Sequence, residues 1–119
     1  MGFNFNNDTP IYLQIIDHIK KQIISKKYLP NEKIPSVREL SLKYEVNPNT
    51  VQKALTELED IGLIYTERTN GKFVTNNLKI IEKITNQTID QIINNFYKLA
   101  EDIGFDKEQI LNILNKKEK

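Results

Sequence analysis

Cysteine and tryptophan are absent from this 119-residue chain, and histidine and methionine occur once each. Without cysteine there is no disulfide framework, no thiolate nucleophile and no Cys-based zinc site. The single His18 falls in an amphipathic helical pattern, where a packed or solvated ring is expected rather than a ligand. Neither a metal nor a cofactor is therefore expected. No apolar run nears the ~18 residues that a membrane span needs. The start, Met1-Gly2-Phe3-Asn4-Phe5-Asn6, has no basic region followed by an apolar one. Asn6 stands where a myristoylation signal wants Ser or Thr. A soluble, cytoplasmic chain with no membrane partner is the expectation. An excess of one charge is also missing. The formal net charge is +1; residues 1–75 hold ten Lys/Arg and nine Asp/Glu, and residues 76–119 hold seven of each. Any nucleic-acid face must therefore come from local clustering. No Gly-rich phosphate loop occurs. The carboxylates Glu57, Glu59, Asp60, Glu101 and Asp102 read as solvated helix charge. Catalysis is not expected.

What is present is helix punctuation. A hydrophobic share of 39% and a charged share of 28% fit a globular chain able to bury a core. Residues 1–9 read as a polar arm, with Phe3 and Phe5 available to pack on a neighbour. Thr9 and Pro10 suit the cap and first position of a helix. Its apolar face carries Ile11, Ile15, Ile19 and Ile23 four apart, with Ile16 and Ile24 beside them. Lysines gather at its end, and Tyr28-Leu29-Pro30-Asn31 makes a turn. Ser36-Val37-Arg38-Glu39 is a capping box for a short helix that packs through Val37, Leu40 and Tyr44 and ends near Glu45. Asn47 then caps a third helix with Pro48 at its first position. Val51, Ala54, Leu55 and Leu58 form its buried stripe, and Gly62 closes it.

Leu63–Glu67 and Lys72–Val74 have strand composition, and Arg68-Thr69-Asn70-Gly71 joins them with an Asn-Gly hairpin signal. Three helices and a hairpin predict a winged helix-turn-helix over residues 1–76. Residues 77–119 predict a long and a short helix, the second capped by Asp106 with Gln109 completing the box. The fold class expected is mainly α with a small β-hairpin: a winged helix-turn-helix plus a short C-terminal helical dimerisation region. Ile89, Ile92, Phe96, Leu99 and Ile103, with Ile110 and Leu114 on the last helix, are more apolar surface than two helices can bury alone. Pairing with a second copy is expected; folding back onto the winged domain is the alternative.

A helix that reads DNA presents its N-terminal end to the major groove. Asn49 there can pair with adenine, Thr50 can meet phosphate or a thymine methyl, and Gln52 can also read adenine. Lys53 suits a phosphate, and Arg38 on the preceding helix can fork onto guanine or phosphate. Asn47 is first a cap. Arg68 and Lys72 flank the Asn70-Gly71 tip, which suits a minor-groove or backbone contact. Each residue singly has a bland reading as solvated surface or turn. Their coincidence on one face carries the reading, and a protein-docking winged helix without DNA binding stands beside it.

Four segments, Pro10-Ile-Tyr-Leu-Gln-Ile15, Ile34-Pro-Ser-Val-Arg-Glu-Leu40, Val46-Asn-Pro-Asn-Thr-Val51 and Leu58-Glu-Asp-Ile-Gly-Leu-Ile64, resemble the GntR family of bacterial transcription regulators, in family order over about residues 8–75. Val46–Val51 joined to so short a C-terminal part is similar to the YtrA subfamily. The resemblance implies a homodimeric repressor on a palindromic operator of double-stranded DNA, acting on its own operon, commonly one with ABC transporter genes. It also implies DNA contacts at Arg38, Asn49, Thr50 and the wing tip around Gly71, and phosphate contacts at Ser36 and Tyr12. The chain departs from the family pattern at Thr69, Asn70 and Lys72 in the wing, at Gln52 where arginine is frequent, and at Asn31 where a turn glycine is usual. With about 40 residues after the wing, no roomy effector cavity is expected, and no effector is identified.

Overall fold

The computed structural model describes residues 4–117. In chain order it contains α1 (Ile11–Ile24), α2 (Val37–Tyr44), α3 (Pro48–Asp60), β1 (Ile64–Glu67), β2 (Gly71–Val74), α4 (Leu78–Asp102) and α5 (Lys107–Lys117). The chain divides into a compact unit up to Glu82 and a second from Lys83 onward. The fold is mainly α with a two-stranded antiparallel hairpin, a winged helix-turn-helix followed by C-terminal helices. No helix among the described residues is long and apolar enough to cross a membrane.

Isoleucine spacing drives the packing of the first unit. Ile15, Ile16, Ile19 and Ile23 of α1 are buried together with Leu40 and Tyr44 of α2 and Val51, Ala54, Leu55 and Leu58 of α3. Each large side chain of this kind contributes on the order of 1.5–3 kcal/mol when fully buried. The core, rather than helix propensity, therefore holds α3 in place. Ile11 departs from the expected apolar face: one turn before Ile15, it is 41% exposed. The start of α1 also differs. Pro10, not Thr9, is the N-cap, and no side chain caps the helix. Gln14 takes over: its Nε2 donates to the carbonyls of Asn6 (3.0 Å) and Thr9 (2.9 Å), and its Oε1 accepts from the Asn6 N–H. The arm is tied back this way, and Phe5 lays its ring 6.1 Å from that of Tyr44. Phe3 lies outside the described residues.

The expected punctuation forms at α2 and α3. The Ser36 hydroxyl accepts from the Glu39 N–H at 3.1 Å, and the Glu39 carboxylate accepts from the Ser36 N–H at 2.9 Å. Glu45, in the left-handed region at φ 57°, ends α2. Asn47 caps α3, with Pro48 following. Gly62 at φ 85° closes α3, with Gly62 N–H donating to Glu59 and Leu63 N–H to Leu58, the paired bonds of a Schellman end. A Cβ on Gly62 would stand 3.1 Å from Cδ1 of Ile80, so the first turn of α4 belongs to the first unit. Asn31 sits at φ 66°, a left-handed conformation that asparagine tolerates.

The hairpin pairs Ile64 with Val74, Tyr65 with Phe73, Thr66 with Lys72 and Glu67 with Gly71. Its connection is one residue shorter than the Arg68–Gly71 segment read from the sequence. The Asn70 N–H donates to Glu67 O at 3.1 Å, and Gly71, at φ 108°, already belongs to β2. The loop is therefore the three residues Arg68-Thr69-Asn70, with Gly71 the first residue of the returning strand. A further pairing lies on the other edge of β2, where Ile34 N–H donates to Lys72 O, Val74 N–H to Glu32 O and Asn31 N–H to Val74 O, each at 2.9 Å. The segment before α2 thus acts as a short third strand, bridged at Lys33 and Phe73.

In the second unit, α4 ends at Gly104 (φ 90°) with Phe105 N–H on Ala100 O and Gly104 N–H on Glu101 O. The Asp106 carboxylate accepts from the Gln109 N–H, and the Gln109 side chain accepts from the Asp106 N–H, completing the expected box at α5.

Candidate nucleic-acid interface

The start of α3 sets the geometry of the candidate surface. Glu45 reverses the chain, Val46 N–H donates to Ser41 O, and Asn47 is extended, so α3 leaves α2 through a tight turn. The buried stripe of α3 faces the core, which leaves Asn49, Gln52 and Lys53 exposed and Thr50 half-buried. Asn49 and Thr50 lie in the first turn, and Gln52 directs Nε2 toward Thr56 Oγ1 at 3.4 Å. The Asn47 side chain is a cap, accepting from the Asn49 N–H at 2.8 Å.

That cap changes what the tip of α3 can do. Pro48 has no N–H, the Asn49 N–H is taken by the Asn47 side chain, and the N–H groups of Thr50 and Val51 donate to Asn47 O. The backbone N–H groups at this tip, which in an open helix start could hold a phosphate, are therefore already filled from within the chain. Side chains alone remain to meet a ligand there. At α2, Ser36 and Glu39 satisfy each other, while the N–H groups of Val37 and Arg38 have no partner among the described residues. The Glu39 carboxyl is held below the ordinary carboxylate value by the hydrogen bonds from the Ser36 backbone and side chain, with a smaller pull from Lys33. Arg38 is exposed, and no hydrogen bond or ion pair ties its guanidinium among the described residues.

Tyr12 and Lys53, far apart in sequence, meet: the Lys53 ammonium lies 3.9 Å from the centroid of the Tyr12 ring. A cation–π contact at an exposed site is worth about 0.5–1 kcal/mol, enough to bias where the lysine points. The wing is divided. Arg68 is exposed and unpaired among the described residues, and Asn70 donates to the Glu67 carboxylate at 3.2 Å. Lys72 is folded inward, its ammonium 3.1 Å from Glu59 Oε1 and 2.8 Å from Thr66 Oγ1. Partial burial raises the Glu59 carboxyl, but the hydrogen bonds from Lys72 and Thr66 outweigh it and leave it below its ordinary value. The positive charge expected of Lys72 is thus balanced inside the fold.

Lys33 was not singled out in the sequence. It lies with Ser36, Arg68, Thr69 and Gly71 around a groove of about 300 Å³ between the wing and the start of α2. The signal was a basic residue directly ahead of Ile34-Pro35-Ser36; its partner across the fold, β2, was invisible from local sequence. His18 is packed rather than solvated: its Nδ1 and the Tyr44 hydroxyl share a hydrogen bond of 2.7 Å. Burial, then the charges of Lys43 and Lys21, lower its pKa, and burial raises that of Tyr44. Among the described residues no cluster of His, Asp or Glu could hold a metal.

In the second unit, the residues expected to pair two copies are open. Ile89, Ile92, Phe96, Leu99, Ile103 and Leu114 are exposed, Ile103 by 74%, and Ile110 is half-buried. Ile84 and Ala100 are the buried residues of α4, and α5 has none.

A short capped helix, a tight turn, a second capped helix with polar side chains at its tip and a hairpin wing define a winged helix-turn-helix regulator. The pattern of the bacterial regulatory proteins, gntR family, matches residues 11–74, and this chain belongs to that family. It is 35% identical over 111 residues to the uncharacterized HTH-type transcriptional regulator YhcF of Bacillus subtilis, covering 93% of this chain and 92% of that one. It is 45% identical over 73 residues to the HTH-type transcriptional repressor YtrA of the same organism, covering 61% of this chain and 56% of that one. Among solved structures, a GntR family transcriptional regulator from Listeria monocytogenes superposes with a TM-score of 0.84 at 39% identity, over 94% of this chain and 98% of that one. The DNA-binding domain of AraR in complex with an operator gives a TM-score of 0.56 at 33% identity, over 63% of this chain and 90% of that one.

Proposed function

We propose that the chain is a sequence-specific DNA-binding transcriptional regulator of the YtrA type, acting as a homodimeric repressor on a palindromic operator. The observation that carries this reading is the tip of α3. Asn49, Thr50 and Gln52 stand there as side chains without a core role, and Arg38 waits unpaired on the neighbouring helix. Asn49 and Gln52 have the amide groups that pair with adenine, Arg38 the fork that fits guanine or phosphate, and Thr50 a hydroxyl and a methyl. Lys53 over Tyr12, Ser36 and Arg68 supply contacts to the backbone of the same duplex, with Asn70 and Gly71 shaping the wing tip. Lys72 sits within the wing and braces it. Residues 1–76 form the reader and residues 77–119 the pairing region. Two copies joined through the exposed isoleucine and phenylalanine face would present two α3 helices to half-sites one helical turn, or a multiple of it, apart. The repressor YtrA and the operator complex of AraR support the role. The genes controlled would be the chain's own operon, with an ABC transporter among them, and the site of action the cytoplasm.

Recovering the genomic DNA that the purified protein retains, then titrating one such duplex across salt, tests the proposal. Each protomer offers Arg38, Lys53 and Arg68 without an acidic partner. A dimer neutralising about six phosphates should give a slope of log K against log salt near −5. Binding that is absent, or indifferent to salt, would leave the winged helix as a protein-docking module.

A further inference from the structure

We infer that Lys33 is a contact to the DNA backbone at the root of the wing, where Gly71, without a side chain, leaves room for the lysine stem. The inference rests on the DNA-binding reading above and adds a residue to it. The backbone on either side of Lys33 is fixed by the bonds of Ile34 N–H to Lys72 O and of Val74 N–H to Glu32 O. Ile34 is 2% exposed, so the alternation of an extended segment turns Lys33 the other way, out of the core. Its stem then crosses β2. Cε lies 3.0 Å, and Nζ 3.7 Å, from where a Cβ on Gly71 would be. A Cβ at position 71 would crowd the stem there, in a backbone conformation that already favours glycine.

Charge says what the groove takes. Lys33 and Arg68 share it, and neither forms an ion pair among the described residues, although the field of Lys33 reaches the Glu39 carboxylate. Lys72 is balanced by Glu59. The one carboxylate lining the groove, Glu67, accepts from the neutral Asn70 amide and keeps its charge, so Lys33 and Arg68 together outweigh it by one. Two like charges gathered in one cleft repel unless an anion enters between them. The groove opens between the wing and the start of α2, beside Arg38 and Ser36, where the strand flanking a major groove read by α3 has to pass. A phosphodiester supplies the anion there, and a contact to it holds position without reading sequence.

The test compares the full-length wild type with Lys33→Gln, Lys33→Arg and Lys98→Gln on operator and unrelated duplex across salt, with a thermal melt for each. Lys33 is exposed, so the variants should melt with the wild type. Lys33→Gln should flatten the salt slope by about 0.9 per bound protomer on both duplexes, and Lys33→Arg should restore it. Lys98→Gln, on the exposed side of α4, should leave it unchanged. A steep wild-type slope that Lys33→Gln does not alter overturns this assignment alone; a wild type that binds no duplex overturns the regulator reading as well. Inorganic phosphate should displace the duplex no better than chloride at equal ionic strength. Stronger displacement, dependent on Lys33, would make the groove a site for a small anion and overturn the assignment to DNA.

Discussion

Replacing Lys72 separates bracing of the wing from contact with DNA. Its ammonium lies 3.1 Å from the Glu59 carboxylate and 2.8 Å from the Thr66 hydroxyl, and the side chains of the pair are 19% and 38% exposed. Fully exposed pairs contribute about 0.2–1 kcal/mol. This one belongs at the upper end, because it is partly sheltered and adds a hydrogen bond to Thr66. Lys72→Met, which keeps the aliphatic stem, should therefore cost about 1 kcal/mol, or about 4–8 °C in Tm for a unit of this size. The single variant is not a clean probe of DNA binding, since it leaves Glu59 unbalanced and repelling the duplex. Lys72→Met with Glu59→Gln removes both charges. It should melt lower than wild type yet bind operator with the wild-type salt slope. The pH dependence gives a second reading. A carboxyl with a depressed folded pKa stabilises the fold above its unfolded value, and that contribution is lost as pH falls through the folded one. The wild type should thus lose its advantage over the double variant as acid is added below about pH 4.5. Calorimetry or circular dichroism, with fluorescence anisotropy on labelled operator, gives all three readings. A salt slope flatter by about 0.9 per protomer in the double variant would place Lys72 on a phosphate and refute the bracing role.

Arg38→Ala should weaken operator binding by about 1–3 kcal/mol, roughly 5- to 150-fold, if the guanidinium reads a base. It should not lower Tm, because nothing in the fold holds the guanidinium; unchanged affinity would remove Arg38 from the interface. Ile92→Asp with Phe96→Asp should convert a dimer to a monomer by sedimentation, and a variant that still sediments as a dimer would place the contact elsewhere. His18 has a lowered folded pKa, so its contribution to stability is complete above its ordinary value near 6.5 and is lost as pH falls through the folded value. His18→Gln should remove that slope; a slope that persists would assign it to another group.

The elements written in local code were legible from the chain. Ser36 with Glu39, Asn47 with Pro48, and Asp106 with Gln109 each act within four residues, and each formed as expected. Gly62 likewise announced the left-handed end of α3. What local spacing could not convey was pairing across the fold. The strand-like run at Asn31–Ile34 has its partner in β2, about 40 residues later. Lys72 looked free because Glu59 lies on another element, and Lys53 gave no sign of Tyr12. The start of α1 misled for a different reason. Thr9 is a good cap in isolation, but Gln14 reaches back and takes the carbonyls of the arm, so the helix begins one residue later, after Pro10. Within the interface, the residue types at the tip of α3 were legible, and so was the Asn47 cap that takes a backbone donor there.

That closed tip has a consequence for how such a regulator diverges. An anion held by the backbone of α3 would tie recognition to the helix start itself, and changes there would disturb both affinity and preference. Here the start is sealed by Asn47 and Pro48, and the charged groups lie on α2, on the wing and on Lys53 beyond the tip. Three side chains, Asn49, Thr50 and Gln52, can then be exchanged as a set while the charged groups stay in place. On the proposed reading, copies of such a regulator that differ at these positions would prefer separate operators while each kept the same general hold on DNA.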